Sequence, residues 1–138
     1  IAMIEGVTFN PRNPDLLTVH TAEIIIEHPR KAGELHLVGH CAAEFNQTAR
    51  GIKITNRDRT VKIGGGHVAH TPHVFYENGR NVCLGNIESE LKAYIAHFEI
   101  EAAATLTIAF LQSVTDDPQY IGHLERFPLY KKPIGRAL

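Results

Sequence analysis

The chain has no tryptophan, one methionine and only two cysteines, Cys41 and Cys83. A disulfide framework packs more cysteines into a shorter secreted chain, so both read as thiols in a reducing cytoplasm. No apolar run is long enough to span a bilayer and no secretory leader is visible, so a membrane role is not expected. Charge of one sign is lacking too: 14 Lys and Arg stand against 15 Asp and Glu, a formal net charge of −1. A general nucleic-acid binder carries a basic surplus, so that class is set aside. No repeat, low-complexity tract or linker divides the sequence. Its 138 residues, 43% of them hydrophobic, suit one core. Residues 3–138 are read as a single domain, with Ile1-Ala2 ahead of Met3 set aside as an added scar.

In chain order, residues 3–14 carry two Asn-Pro pairs and little periodicity, and read as a loop or short edge segment. Leu16 to Glu27 is rich in Thr, Val and Ile and reads as a strand. His28-Pro29-Arg30-Lys31-Ala32-Gly33 is a turn, and Glu34 to Phe45 is a second strand containing Cys41 beside two alanines, a buried structural thiol. Ile52 to Ile63 alternates on both flanks of a polar centre, giving either a hairpin or one bent strand. Gly64-Gly65-Gly66 lacks a following Lys-Ser or Lys-Thr and a βαβ setting, so it is a flexible bend and not a phosphate loop. Beyond residue 86, Ile87, Leu91, Ile95 and Phe98 recur at helical spacing, and the helical character runs on to Val114, as one helix or two. Glu88 and Lys92 suit an i,i+4 pair. Thr115-Asp116-Asp117-Pro118 ends the helix, and Gln119 to Leu138 is a tail laid over the surface.

The stretch that carries chemistry is Thr71 to Asn86. It opens on Pro72-His73, reverses at Asn78-Gly79, and reaches Val82-Cys83-Leu84 just before Gly85-Asn86, where Asn86 suits a helix N-cap. A thiol in a turn near a helix N-terminus tends toward the reactive thiolate, so Cys83 is a candidate nucleophile.

This order of marks resembles the active-site segment of ubiquitin-conjugating enzymes, in a diverged bacterial branch. In that family a His-Pro-Asn tripeptide precedes a short loop, a Gly, and then an apolar residue, the catalytic Cys and Leu. Thr71-Pro72-His73, Asn78-Gly79 and Val82-Cys83-Leu84 match in order, and Asp116-Asp117-Pro118 matches the Asp-Asp-Pro turn after the family's central helix. The match covers roughly residues 70–120. It departs from the family in showing no N-terminal helix and no Pro-rich stretch before the active site, and in a longer spacing from His73 to Cys83.

The resemblance implies an α+β, ubiquitin-conjugating-like fold: a three- or four-stranded antiparallel meander, the active-site loop, and packed helices broken near His97 to Glu99. It implies a conjugating enzyme that takes a ubiquitin-like modifier from a ThiF-like activating enzyme as a thioester on Cys83. The modifier then passes to an amine on a protein acceptor. No cofactor is implied, and bacterial operons of this kind, some in phage defence, are the setting the family suggests. His73 takes the place of the family's Asn, where an imidazole N–H could donate to an oxyanion, with Asn81 and Tyr76 as substitutes. Asp116 and Asp117 match the acidic turn that receives the incoming lysine. Two other readings stand beside this one. The first is a non-catalytic binding module of the same fold. The second is a zinc protein using His67, His70 and His73, among nine histidines in all. On an extended segment every third residue does not share a face, so no metal is expected there.

Overall fold

The computed structural model describes residues 4–47, 51–75, 77–79, 81–82, 84 and 87–131. Four strands form an antiparallel sheet in chain order: β1 (Ile4–Asn10), β2 (Asn13–Glu27), β3 (Leu35–Asn46) and β4 (Gly51–Asn56). The expected meander is therefore present, with four strands. The first segment, read as a loop or an edge, is an edge strand paired with β2.

Burial along β2 and β3 explains why their alternation is only partial. In β2 the buried residues are Leu17, Val19 and Thr21, and then Ile24 and Ile26. In β3 the buried side chains are those of His36 and Val38, and then Cys41, Ala43 and Phe45, with the buried Gly39 between the two sets. Each set changes from one parity to the other at the same level of the sheet, where the register slips between His20 and Glu23 and between Ile24 and Ile25. An extra residue in a ladder bends the strand and swaps its faces. The Thr21 hydroxyl accepts the Cys41 N–H at 2.9 Å and donates to the Ala22 carbonyl at 2.8 Å, so the interrupted ladder keeps its polar groups paired.

The segment 52–63 is neither a hairpin nor a single strand. The chain leaves the first sheet at Asn56 and enters a second, made of β5 (Val61–Lys62), β6 (Val68–Thr71), β7 (Val74–Phe75) and β8 (Asn81–Val82). Asn56 makes the exit possible. Its Nδ2 donates to the carbonyls of Val38 and His70, and its Oδ1 accepts from the N–H groups of Asp58 and Arg59. One short side chain thus serves backbone groups that no ladder reaches. The glycine triplet is a single 3-10 turn, in which Gly65 and Gly66 take positive φ.

Three helices follow: α1 (Glu88–Ala96), α2 (Ile100–Leu111) and α3 (Pro118–Leu124). The break between α1 and α2 falls where the resemblance puts it. Phe98 adopts a left-handed φ of 55°, its N–H reaches the Ile95 carbonyl, and the Glu99 N–H reaches the Tyr94 carbonyl. That paired closure ends a helix, here without the usual glycine. Phe98 is consequently exposed and leaves the stripe that Leu91 and Ile95 continue into the core.

Two expectations for the C-terminal part are corrected. α2 ends at Leu111, and Asp117-Pro118 begins α3 instead of ending the preceding helix. Asp117 accepts the Gln119 N–H at 2.9 Å as N-cap, and Pro118 suits the first turn because its missing N–H is not needed there. The segment after it is no surface tail: Ile121, Leu124 and Phe127 are buried. Residues 128–130 bridge to β3, with the Leu37 N–H on the Pro128 carbonyl and the Tyr130 N–H on the Leu35 carbonyl, both at 2.8 Å. Sequence periodicity misses α3 because seven residues hold too few turns to show a stripe. The core joins the inner sheet face (Val19, Val38, Phe45, Ile54) to Leu91, Ile95, Ala104, Leu111 and Phe127.

Candidate functional site

The candidate segment is built on a short hairpin. β7 and β8 pair antiparallel, with Val74 opposite Val82 and Phe75 opposite Asn81. Gly79 lies in the connecting loop with φ 70°, as an Asn-Gly reversal requires. Its carbonyl accepts the Ile54 N–H at 2.8 Å, which lays the loop against β4. A Cβ at this position would come within 2.3 Å of the Ile54 carbonyl oxygen, so only glycine fits. Cys83 and Tyr76 lie outside the described residues, as do Gly85 and Asn86, and Asn81 is described by its backbone alone. Their neighbours Val82 and Leu84 line a groove of about 300 Å³ with Gly51, Ile52, Glu88, Leu91, Lys92 and Ile95. Glu88 and Lys92 form the expected i,i+4 pair at 2.8 Å on its rim.

His73 is 3% exposed and packs between Phe110 and Tyr120, with ring centroids 4.7 and 4.6 Å away. Its Nε2 donates to the Ser113 carbonyl at 2.9 Å, and its backbone N–H reaches the Thr71 hydroxyl. Its Nδ1 is buried with no hydrogen-bond partner. Burial holds its pKa below the ordinary value, against the opposing pull of the Ser113 carbonyl. The ring is therefore neutral near pH 7, and its single N–H is committed to Ser113. His123 of α3 donates from Nδ1 to the Pro72 carbonyl at 3.2 Å. The Pro72-His73 turn is thus held by the end of α2 and by α3 together.

The two aspartates have separate partners. Asp117 caps α3, while Asp116 pairs with the Arg30 guanidinium, both side chains being largely exposed. Sequence reasoning missed Arg30, because a His-Pro-Arg turn carries no sign of what it will face eighty-six residues later. The turn is anchored by His28, which is 3% exposed. His28 accepts the Arg30 N–H at Nδ1 and donates from Nε2 to Glu125 at 2.8 Å.

The histidine run does not converge. His67 is exposed beside Glu77. His70 accepts the Asn56 N–H and donates to the Glu77 carbonyl. His73 turns to Ser113. Among the described residues, the group of potential metal donors is instead Glu23, His40 and Asp58, whose ligand atoms lie within 4.8 Å of one another. There His40 already bonds Asp58 through both its ring Nδ1 and its backbone N–H, each at 2.8 Å. That hydrogen bond and the neighbouring carboxylates raise the His40 pKa.

No family model, curated protein or solved structure matches the chain.

Proposed function

We propose that the protein carries a ubiquitin-like modifier as a thioester on Cys83 and passes it to an amine. The observation that carries this reading is the pairing of Val82 with Val74. It ties the residue before Cys83 to the residue after His73, which is itself fixed to the end of α2. An ordered meander, then this hairpin, then helices broken at Phe98, supports the same reading.

In loading, the Cys83 thiolate attacks the thioester carbonyl on a ThiF-like activating enzyme. A new C–S bond forms, the old one breaks, and the activating enzyme's thiolate leaves. No Cys-His-Asp set for hydrolysis is needed, since water attack would waste the intermediate. The geometry of His73 makes it a positioning residue for the loop. Asn81, whose amide carries N–H donors in any tautomer, is the better candidate for the oxyanion.

The test is a non-reducing gel with a candidate activating enzyme, its modifier and ATP, comparing wild type with Cys83→Ala. A thiol-sensitive adduct on wild type that the variant lacks is the expected result. If the activating enzyme charges itself and the wild-type protein never charges, the carrier reading fails and a non-catalytic binding module takes its place.

A further inference from the structure

The corner where β2 and β3 change parity gathers donor side chains from four separate parts of the chain. Glu23 and His40 are cross-strand partners between the two register slips. Glu5 is the extra residue of the slip between Ile4 and Gly6, where β1 meets β2. Asp58 arrives from the turn that leaves the sheet. That turn is folded back onto β3 by the Arg57 N–H, which donates to the His40 carbonyl at 2.7 Å. Gly39, with φ 125°, makes room for the carboxylate: a Cβ there would stand 2.9 Å from Asp58 Oδ2. The ligand atoms of Glu23, His40 and Asp58 lie within 4.8 Å of one another, and Glu5 Oε2 lies 3.8 Å from His40 Nε2.

The hydrogen bonding of His40 gives this group a direction. A carboxylate only accepts, so the 2.8 Å bond to Asp58 keeps a hydrogen on Nδ1. The lone pair a metal needs is therefore offered at Nε2, the nitrogen that faces Glu5. A histidine ligand held through its other N–H by a carboxylate is the arrangement that fixes ring and tautomer at metal centres. The 3.8 Å between Nε2 and Glu5 is too long for a hydrogen bond. It is close to the roughly 3.4 Å that separates two donors on one tetrahedral ion. Among the described residues no Lys or Arg pairs with Glu5, Glu23 or Asp58. The arginines that flank Asp58 are turned elsewhere, Arg59 to the Val38 carbonyl and Arg57 to His20. Three carboxylates thus converge on one imidazole without a lysine or arginine to balance them.

We propose that this corner binds a divalent transition metal of the zinc class, held by His40 Nε2 and the carboxylates of Glu5 and Glu23, with Asp58 orienting the ring from behind. Imidazole nitrogen beside carboxylate oxygen suits such an ion, whereas calcium and magnesium favour oxygen donors throughout. On binding, any proton on Nε2 leaves to solvent, and the two exposed glutamates close the remaining distance by side-chain rotation. Three protein donors leave a fourth position for water or a further ligand. The ion ties the edge strand β1 to β2 and β3. None of these residues belongs to the hairpin, so the proposal stands apart from the carrier reading.

The experiment uses the untagged, metal-stripped full chain carrying Cys83→Ala, which removes a competing thiol. Zinc is titrated near neutral pH, with calorimetry for stoichiometry and histidine side-chain NMR for location. We expect saturation at one equivalent, a displaced His40 Nε2 resonance, and a Tm that rises with zinc. Glu23→Gln and Glu5→Gln change exposed side chains outside the core. Each should weaken zinc about tenfold or more, and Asp58→Asn about 10- to 100-fold. His67→Gln, at an exposed histidine away from the corner, should bind as the parent does. Excess magnesium should leave the zinc in place. Absence of zinc binding overturns the proposal. So do resonances that move at other histidines while those of His40 stay put, and so does an affinity that both glutamate substitutions leave unchanged.

Discussion

His73 donates through Nε2 to the carbonyl oxygen of Ser113, 2.9 Å away and forty residues along the chain. The bond joins the turn that leads toward Cys83 to the end of the helix that backs it. His73→Ala would take away the partner of the Ser113 carbonyl and leave a space between Phe110 and Tyr120. We expect a loss of about 2–4 kcal/mol by urea unfolding. The same ring sets a pH dependence. Its folded pKa lies below the ordinary value, so the unfolded chain takes up a proton first as pH falls. Its contribution is present above about pH 6.5 and declines below it. Unfolding measured from pH 7.5 to 5 should show a steeper fall in wild type than in His73→Gln.

Cys41 should be silent in the native state. It is 0% exposed, and burial pushes its thiol up to about 12. With an aromatic disulfide reagent, native Cys83→Ala is expected to react only on the timescale of unfolding. Any rapid thiol in the wild type then belongs to Cys83. Rapid labelling of the Cys83→Ala protein would instead show that the sheet opens at Cys41.

Gly79→Ala should damage the site before it damages the fold. The substitution puts a Cβ against the Ile54 carbonyl and an L residue at φ 70°, which together cost about 2–4 kcal/mol. The loop can relieve the clash by lifting off β4, which gives up the Ile54 hydrogen bond. We expect retained helical circular dichroism, a lowered Tm and slower charging. Unchanged charging with a lowered Tm would uncouple the loop from the thiol.

Asp58→Asn should lower the His40 titration midpoint followed by NMR, because the bond to Asp58 is the first cause of its raised pKa. A raised folded pKa stabilises below the unfolded value and loses that contribution as pH rises through the folded one. The variant's stability deficit should therefore be larger at pH 6 than at pH 8. The sign is opposite to that of His73. The two histidines tilt the stability profile in different directions, and each variant isolates one of them.

Much of the sheet is legible from its β-branched runs, and Leu16 to Glu27 differs from β2 by only a few residues at one end. The exchange between sheets is not legible. It depends on four hydrogen bonds made by Asn56, and an Asn in a polar stretch reads as a simple turn. The break at Phe98 is equally hidden from local rules, since no Gly or Pro marks it; the resemblance alone located it. At the site, the order of Pro72, His73, Gly79 and Val82 could be read in advance, as could the interior position of Cys41. The partners of His73 and Asp116 could not, because Ser113 and Arg30 meet them only through tertiary packing. His67, His70 and His73 show the reverse case: a regular spacing in sequence that the backbone sends to three unrelated neighbours.

The change of parity shared by β2 and β3 has a consequence for how this sheet can vary. Each strand is written in two frames that meet at Thr21 and Gly39. Sliding one strand by a residue is tolerated in a uniform ladder with weak facing preferences, but here it would put Glu23 inward on one side of the corner or Glu44 inward on the other. Both halves would have to slip together, and the Thr21–Cys41 bond forbids it. The sheet is keyed like a lock with two wards, so a single-residue insertion or deletion in either strand should be far less tolerated than one in the 28–34 turn.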